Sequence, residues 1–321
     1  MTLPLRTVRV GAIDVGTNSI RLLVAEVSLD GGATNLLTLA RAGEPCRLGR
    51  GLERTGRIDP EIAARAADLV KDFVGRARAL GAARLRIGAT AALRGAANGA
   101  EIGATIAEKS GVPVHILSGD EEAQLVYEAV VIGLGSVARS SACVVFDLGG
   151  GSTEVVSGVG ARAGRWASLS FGAVSLTERH LGNGPPTPAM IESLERHVRA
   201  ELGAALIAMP ESTPLLAGVG GTVTVLAALD RGLDAYEPSR IEGWTIGRDR
   251  LEVLVDRVLG SSEAERRTWA VMGRGRSDIV VAGVLVVRLM MERFRARALV
   301  CSTQGLRYGL ARQAAKAVED A

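Results

Sequence analysis

The sequence predicts an α/β protein built from two related halves, and three observations carry that expectation. Apolar runs of strand length alternate with segments of helical period along the chain. One glycine turn occurs twice after such a run, as Asp14-Val15-Gly16-Thr17-Asn18-Ser19 and as Asp147-Leu148-Gly149-Gly150-Gly151-Ser152-Thr153-Glu154. With 321 residues and 47% hydrophobic content, the chain is long enough to bury two cores.

Taken in order, VRVGAIDV reads as a buried strand, the turn at Thr17-Asn18-Ser19 follows, and IRLLVAEV returns antiparallel to it. Asp59-Pro60 opens a helix that closes near Gly81, with Ile62, Ala66, Leu69, Phe73 and Leu80 on one face. A strand (RLRIGAT), a helix over 99–109 and a strand (VPVHILSG) complete the first half. The second half restarts with the hairpin CVVFDLGGGSTEVVSGV, and WASLSFGAVSLTERH reads as a strand leading into a helix. GNGPPTP is a loop by its glycines and prolines, followed by a helix over 188–207. Then come the strand PLLAGV, the turn Gly220-Gly221-Thr222 and a helix through Leu229. Residues 278–294 have the apolar density of a buried helix, and a last helix with a charged end starts at Gly305. The expected domains are 1–128 and 129–305, with 306–321 a terminal helix packing back on the N-terminal domain.

Composition narrows the function classes. No apolar stretch reaches the roughly 20 residues that span a bilayer, and MTLPLRTVRVGAID lacks a signal peptide's cleavage pattern, so a cytoplasmic protein without membrane contact is expected. A net charge of +3 does not call for nucleic acid. Cys46, Cys143 and Cys301 are too widely spaced for a zinc site and read as reduced core thiols, and His115, His180 and His197 show no metal spacing.

The two glycine turns carry the chemistry. Glycine lets main-chain N–H groups approach a phosphate, and the Ser or Thr hydroxyls add donors, so Asp14, Gly16, Thr17, Asn18 and Ser19, with Gly149, Gly150, Gly151, Ser152 and Thr153, form two candidate phosphate loops. A single D-x-G turn is commonly an ordinary hairpin. Here alignment of Asp14 on Asp147, 133 positions later (147 − 14), also aligns Gly16 on Gly149 and Ser19 on Ser152. A carboxylate beside phosphate calls for a divalent cation, so Asp147, with Glu154 on the returning strand, is the candidate Mg²⁺ pair. Neither a P-loop nor a dinucleotide fingerprint is present. In Ser118-Gly119-Asp120-Glu121-Glu122, the pair Ser118 and Glu121 has capping-box spacing, which leaves Glu122 available as a base for water. Arg94, among small residues after a strand end, suits a phosphoryl group. Arg267, Arg274 and Arg276 are candidates for tracking a polyanion, set against a solvated face with partners such as Glu263.

These residues fall in motifs that follow one another in a recognisable order: AIDVGTNSIRLLVAEV, GATAALRGAANG, ILSGDEEAQLVYEAV, VVFDLGGGSTEVV, SLSFGAVSLTE, GVGGTVTVLAAL, GRSDIVVAG and GLRYGLA. The chain resembles the exopolyphosphatase/guanosine pentaphosphate phosphatase (Ppx/GppA) family. That family lies within the actin, hexokinase and chaperone-ATPase superfamily of ribonuclease H-like domains. The resemblance implies duplicated domains with an active cleft, a homodimer, and Mg²⁺-dependent release of orthophosphate from the end of inorganic polyphosphate. It also implies Glu122 and Arg94 as catalytic residues, Asp147 and Glu154 as metal ligands, and Gly221 and Thr222 as a further phosphate-contacting turn. Ala91 stands where many members have serine, and the chain resembles the family's short form. Guanosine pentaphosphate, hydrolysed to tetraphosphate, is the alternative substrate, and binding of polyphosphate or alarmone without turnover is the second alternative.

Overall fold

A computed structural model of the protein describes residues 7–28, 35–182, 184–273 and 275–319. It divides into two compact units, Met1–Ser118 with Leu306–Ala321, and Gly119–Gly305.

The first unit opens with β1 (Thr7–Val15), β2 (Ser19–Ser28) and β3 (Leu36–Pro45), followed by α1 (Pro60–Ala79), β4 (Arg84–Ala89), α2 (Ala91–Gly95), α3 (Gly99–Ser110) and β5 (Val114–Ile116). The sheet order is β3-β2-β1-β4-β5, with the β1–β2–β3 ladder antiparallel and β1, β4 and β5 parallel. Helix α1 begins where the sequence placed it, because the Asp59 side chain accepts from the N–H groups of Glu61 and Ile62 and Pro60 needs no partner there. Ala66 and Phe73 are buried as expected, whereas Leu80 is the C-cap and 41% exposed. Strand β3 was missed in the sequence because its pattern is inverted. Its Leu37 and Leu39 point outward, and the more protected side is formed by Leu36, Thr38, Ala40 and Ala42.

In the second unit, α4 (Gly119–Leu134) leads to β6 (Ala142–Leu148), β7 (Thr153–Val159) and β8 (Arg162–Leu169). Next come α5 (Ala173–Leu176), α6 (Pro188–Ala205), β9 (Leu215–Gly220), α7 (Gly221–Asp230), α8 (Pro238–Ile241), β10 (Thr245–Gly247), α9 (Arg248–Leu259), α10 (Glu263–Thr268), α11 (Val280–Arg293) and β11 (Ala298–Cys301). The single helix expected after β8 is split: α5 passes into a π-helical turn over Thr177–Leu181. Strands β10 and β11 and helices α9 and α10 had no sequence counterpart, the two strands being only three and four residues long.

The sheet order is β10-β11-β9-β6-β7-β8. Read from β8, the run β8-β7-β6-β9-β11 repeats the order and strand directions of β3-β2-β1-β4-β5, and β10 adds one antiparallel edge strand. This is the duplicated α/β arrangement of the actin-like fold. Each unit has its own core. One is centred on Ile13, Leu22, Phe73 and Ile87, the other on Phe146, Leu226, Leu285 and Phe294. Fully burying each such side chain contributes about 1.5–3 kcal/mol. Helix α11 is buried almost all round, as its composition required.

The second unit starts at Gly119, earlier than the break after residue 128 expected from the sequence. The reason is the packing of α4 on β6, β7 and β8, with Tyr127 donating a hydrogen bond to the Gly160 carbonyl (3.0 Å). After β11 the chain returns to the first unit as α12 (Leu306–Glu319), which packs on β1, β2 and β4. A side chain at Gly88 would come within 2.9 Å of Leu310, so a bare backbone at β4 lets α12 approach.

Candidate functional site

In the second unit the glycine turn is held from behind. The carbonyl of Gly149 accepts from the N–H of Ala173 (3.0 Å), and that of Gly150 accepts from Val174 (2.8 Å) and Ser175 (3.1 Å) at the start of α5. In a planar trans peptide the next N–H points opposite to the carbonyl. The N–H groups of Gly150 and Gly151 are therefore directed away from α5. Gly172 makes this approach possible, since a Cβ there would lie 2.5 Å from the Gly150 carbonyl carbon and 2.6 Å from the Gly149 oxygen. Thr153 turns inward and donates to the Phe171 carbonyl (2.8 Å), whereas Ser152 is buried within the turn, whose N–H of Gly149 bonds the Ser152 carbonyl (3.1 Å).

Beside the turn, Asp147 on β6 lies opposite Glu154 on β7, and Glu154 lies opposite Ser168 on β8. Directly opposed residues of antiparallel strands share a face. One row therefore carries both carboxylates, and Ser168 donates to Glu154 Oε1 (2.9 Å). Helix α4 begins on the same face, where a Cβ on Gly119 would be 2.8 Å from the Ser168 Cβ. Glu122, three residues further on, lies on the same side of the helix as Gly119 and is buried.

Among the described residues no group of three or more His, Cys, Asp or Glu side chains is arranged to hold a metal. The pair Asp147 and Glu154 nonetheless fits Mg²⁺, an ion commonly held by one or two carboxylates together with waters and substrate phosphates. Gly305 borders the pair: a Cβ there would lie 3.6 Å from Asp147 Oδ2, in ordinary contact with it.

The first unit contains the same turn with different charges. The N–H of Gly16 bonds the Ser19 carbonyl (3.2 Å), matching Gly149 and Ser152. Residue 46 donates to the Asn18 carbonyl (3.0 Å), as does the N–H of Arg47 (2.9 Å), and Gly49 donates to that of Thr17 (2.9 Å). Across from Asp14 stands Arg21, the position that corresponds to Glu154 under the same offset. Burial pushes the Asp14 carboxyl above its usual range, and Arg21 and Arg307 oppose that shift. A carboxylate facing an arginine is poorly suited to a divalent cation, so the duplication separates an acid–acid row from an acid–base row. Arg21 and Ser168 were missed in the sequence, although alignment of the repeats would have exposed Arg21.

Arg94 in α2 is half-buried, and its Nη1 donates a hydrogen bond to the Leu117 carbonyl (2.8 Å). At the end of β9, Gly220 has φ 115°, and a Cβ would sit 2.4 Å from the Leu148 oxygen, so only glycine fits. Gly221 lies against the Arg276 guanidinium, and Thr222 is buried against Gly283 of α11. Arg267 forms an exposed pair with Glu263 (2.5 Å), the solvated alternative that the sequence left open. Its neighbour Arg266 is buried and donates to the Ser277 carbonyl (2.8 Å). Arg274 lies outside the described residues. His115 is exposed.

Comparison with known proteins places the chain in a family. The Mycobacterium tuberculosis protein named exopolyphosphatase 2 is 37% identical over 297 residues, covering 90% of this chain and 92% of that protein. The crystal structure of an exopolyphosphatase-like protein is 30% identical, with a TM-score of 0.90 over 98% of this chain and 99% of its own. The Aquifex aeolicus member of the Ppx/GppA family is 26% identical, with a TM-score of 0.81 and coverage of 98% and 99%. The Ppx/GppA phosphatase family profile matches residues 25–317, and the chain belongs to that family.

Proposed function

We propose that this chain is an exopolyphosphatase that hydrolyses the terminal phosphate of inorganic polyphosphate and releases orthophosphate. The observation that carries the reading is the row Asp147–Glu154 with buried Glu122 on the helix covering the same sheet face. The relative named exopolyphosphatase 2 supports the substrate class.

In this reading Glu122 accepts a proton from water as the water oxygen attacks the terminal phosphorus. The bond from phosphorus to the bridging oxygen breaks, and the shortened chain leaves. Mg²⁺, bound at Asp147 and Glu154, would supply neutralisation of phosphate charge. The N–H groups of Gly150 and Gly151 donate to phosphoryl oxygens, and Arg94 and the turn at Gly16–Ser19 bind phosphate. Such a reaction depends on positioning and electrostatics, with little covalent work for the protein. Arg276 and Gly221 are assigned to the more distal chain. We assign the enzyme to the cytoplasm as a homodimer; three free, buried cysteines accord with a reducing compartment. None of the described helices is long and apolar enough to cross a membrane.

The test is phosphate release with Mg²⁺ from long-chain polyphosphate and from guanosine pentaphosphate, for wild type and Glu122→Gln. The expected loss in the variant is about 10³-fold, within the range of general-base catalysis. No release from either substrate by wild type rejects the hydrolase reading, and faster release from the pentaphosphate replaces the substrate. Unchanged rates in the variant remove Glu122 from the mechanism.

A further inference from the structure

Glu242 belongs to none of the motifs that carry the chemistry, yet its carboxylate is more fully engaged than most on the surface. It follows α8, in a segment where Gly243 donates to the Cys301 carbonyl (2.9 Å) and Cys301 donates to that of Trp244 (2.8 Å). Glu242 Oε1 accepts from Ser302 Oγ (2.8 Å), and Oε2 accepts from the Thr303 N–H (2.6 Å) and from Thr303 Oγ1 (2.7 Å). Ser302 Oγ accepts in turn from the Gln304 N–H (3.1 Å). Ser302 and Thr303 are buried, so without the carboxylate their donors would lose partners where water has little access.

The far end of this turn reaches the proposed metal pair. Gly305 lies against Asp147, and a Cβ on it would stand 2.8 Å from Val219 Cγ1 and 3.6 Å from Asp147 Oδ2. Gln304 packs on Gly133 of α4, the helix that bears Glu122, so closely that a Cβ there would be 2.7 Å from its Cδ. Residues 302–305 thus form a wall beside Asp147, with Glu242 fixing its other end.

We propose that Glu242 is a positioning residue that holds the 302–305 turn so that Asp147 is confined to a geometry that binds the divalent cation. This rests on the reading of Asp147 as a metal ligand. Charge and acceptor number both matter, because a glutamine keeps one acceptor oxygen and presents an NH₂ group to either Ser302 or Thr303, both of which donate to the carboxylate.

Mn²⁺ binding to the full chain, read by the electron paramagnetic resonance of the free ion, tests the proposal without turnover. Glu242→Gln and Thr303→Val should each raise the half-saturating Mn²⁺ concentration about tenfold, as removal of groups that orient metal ligands does. Asp147→Asn should abolish the site. Trp244→Phe breaks the neighbouring bond from Nε1 to Asp230 Oδ2 (2.8 Å) without touching the clamp, and should leave the midpoint unmoved. A folded Glu242→Gln protein with the wild-type midpoint overturns the proposal, as does an equal shift in Trp244→Phe. If Glu242→Gln fails to fold, Thr303→Val, which removes one donor to the Glu242 carboxylate, decides by the same criterion. Wild-type binding in Asp147→Asn would instead reject the metal assignment, and the clamp with it.

Discussion

Replacing Gly172 by alanine should damage both catalysis and stability. Its φ is −151°, ordinary extended backbone, so the substitution introduces no dihedral strain. The effect comes from contact alone. The new Cβ would lie 2.5 Å from the Gly150 carbonyl carbon and 2.6 Å from the Gly149 and Gly150 oxygens, all of them backbone atoms. Ordinary contact begins at 3.4 Å, so the turn must move by roughly 0.9 Å relative to α5, disturbing the bonds from Ala173 and Val174 that orient it. A misplacement of about 1 Å can cost on the order of 10²-fold in rate, equivalent to about 2.7 kcal/mol of transition-state stabilisation. Overpacking should cost stability about 1–3 kcal/mol. The assay is kcat/KM for phosphate release from polyphosphate, alongside a urea unfolding curve. Gly75→Ala is the control: it lies inside α1, a Cβ there meets nothing within 4 Å, and the protein should gain up to about 1 kcal/mol with activity unchanged. A Gly172→Ala enzyme within twofold of wild type would refute the claim that this turn must sit where α5 holds it.

Two further outcomes follow from burial. The Asp14 carboxyl is raised above its unfolded value of 3.8. Its contribution to stability is complete below that pH and is lost as pH rises through the folded value. Asp14→Asn should therefore raise the melting temperature at pH 7, with the gain shrinking toward pH 3 while phosphate release falls; an equal gain at both pH values would exclude the carboxyl as its source. Cys46, Cys143 and Cys301 are buried, and burial raises each thiol's pKa, so the native protein should resist a thiol-specific reagent at pH 8 and all three thiols should react in denaturant. Rapid labelling of the native protein would contradict that burial.

Much of this molecule is local in origin and hence legible in the chain. Helix α1 is specified by Asp59, Pro60 and its apolar period, α11 by near-continuous apolar residues, and the two turns by their matching Asp, Gly and Ser positions. Each of those signals lies within a window of neighbours, where backbone sterics and side-chain period suffice to define it. Strand β3 escaped because its leucines face outward, and β10 and β11 are too short to show a period.

The sequence by itself determined which residue types stand at the turns, that the turns recur, and that Glu122 follows a helix-start signal. Only tertiary structure decided that Asp147, Glu154 and Ser168 form one row, that Asp14 faces Arg21, that α5 turns the carbonyls of Gly149 and Gly150 inward, and that Glu242 reaches the 302–305 turn. The physical reason is that pairing register and backbone approach join residues far apart in the chain. Glu242 and Thr303 are 61 positions apart, and no local preference encodes the bond between them.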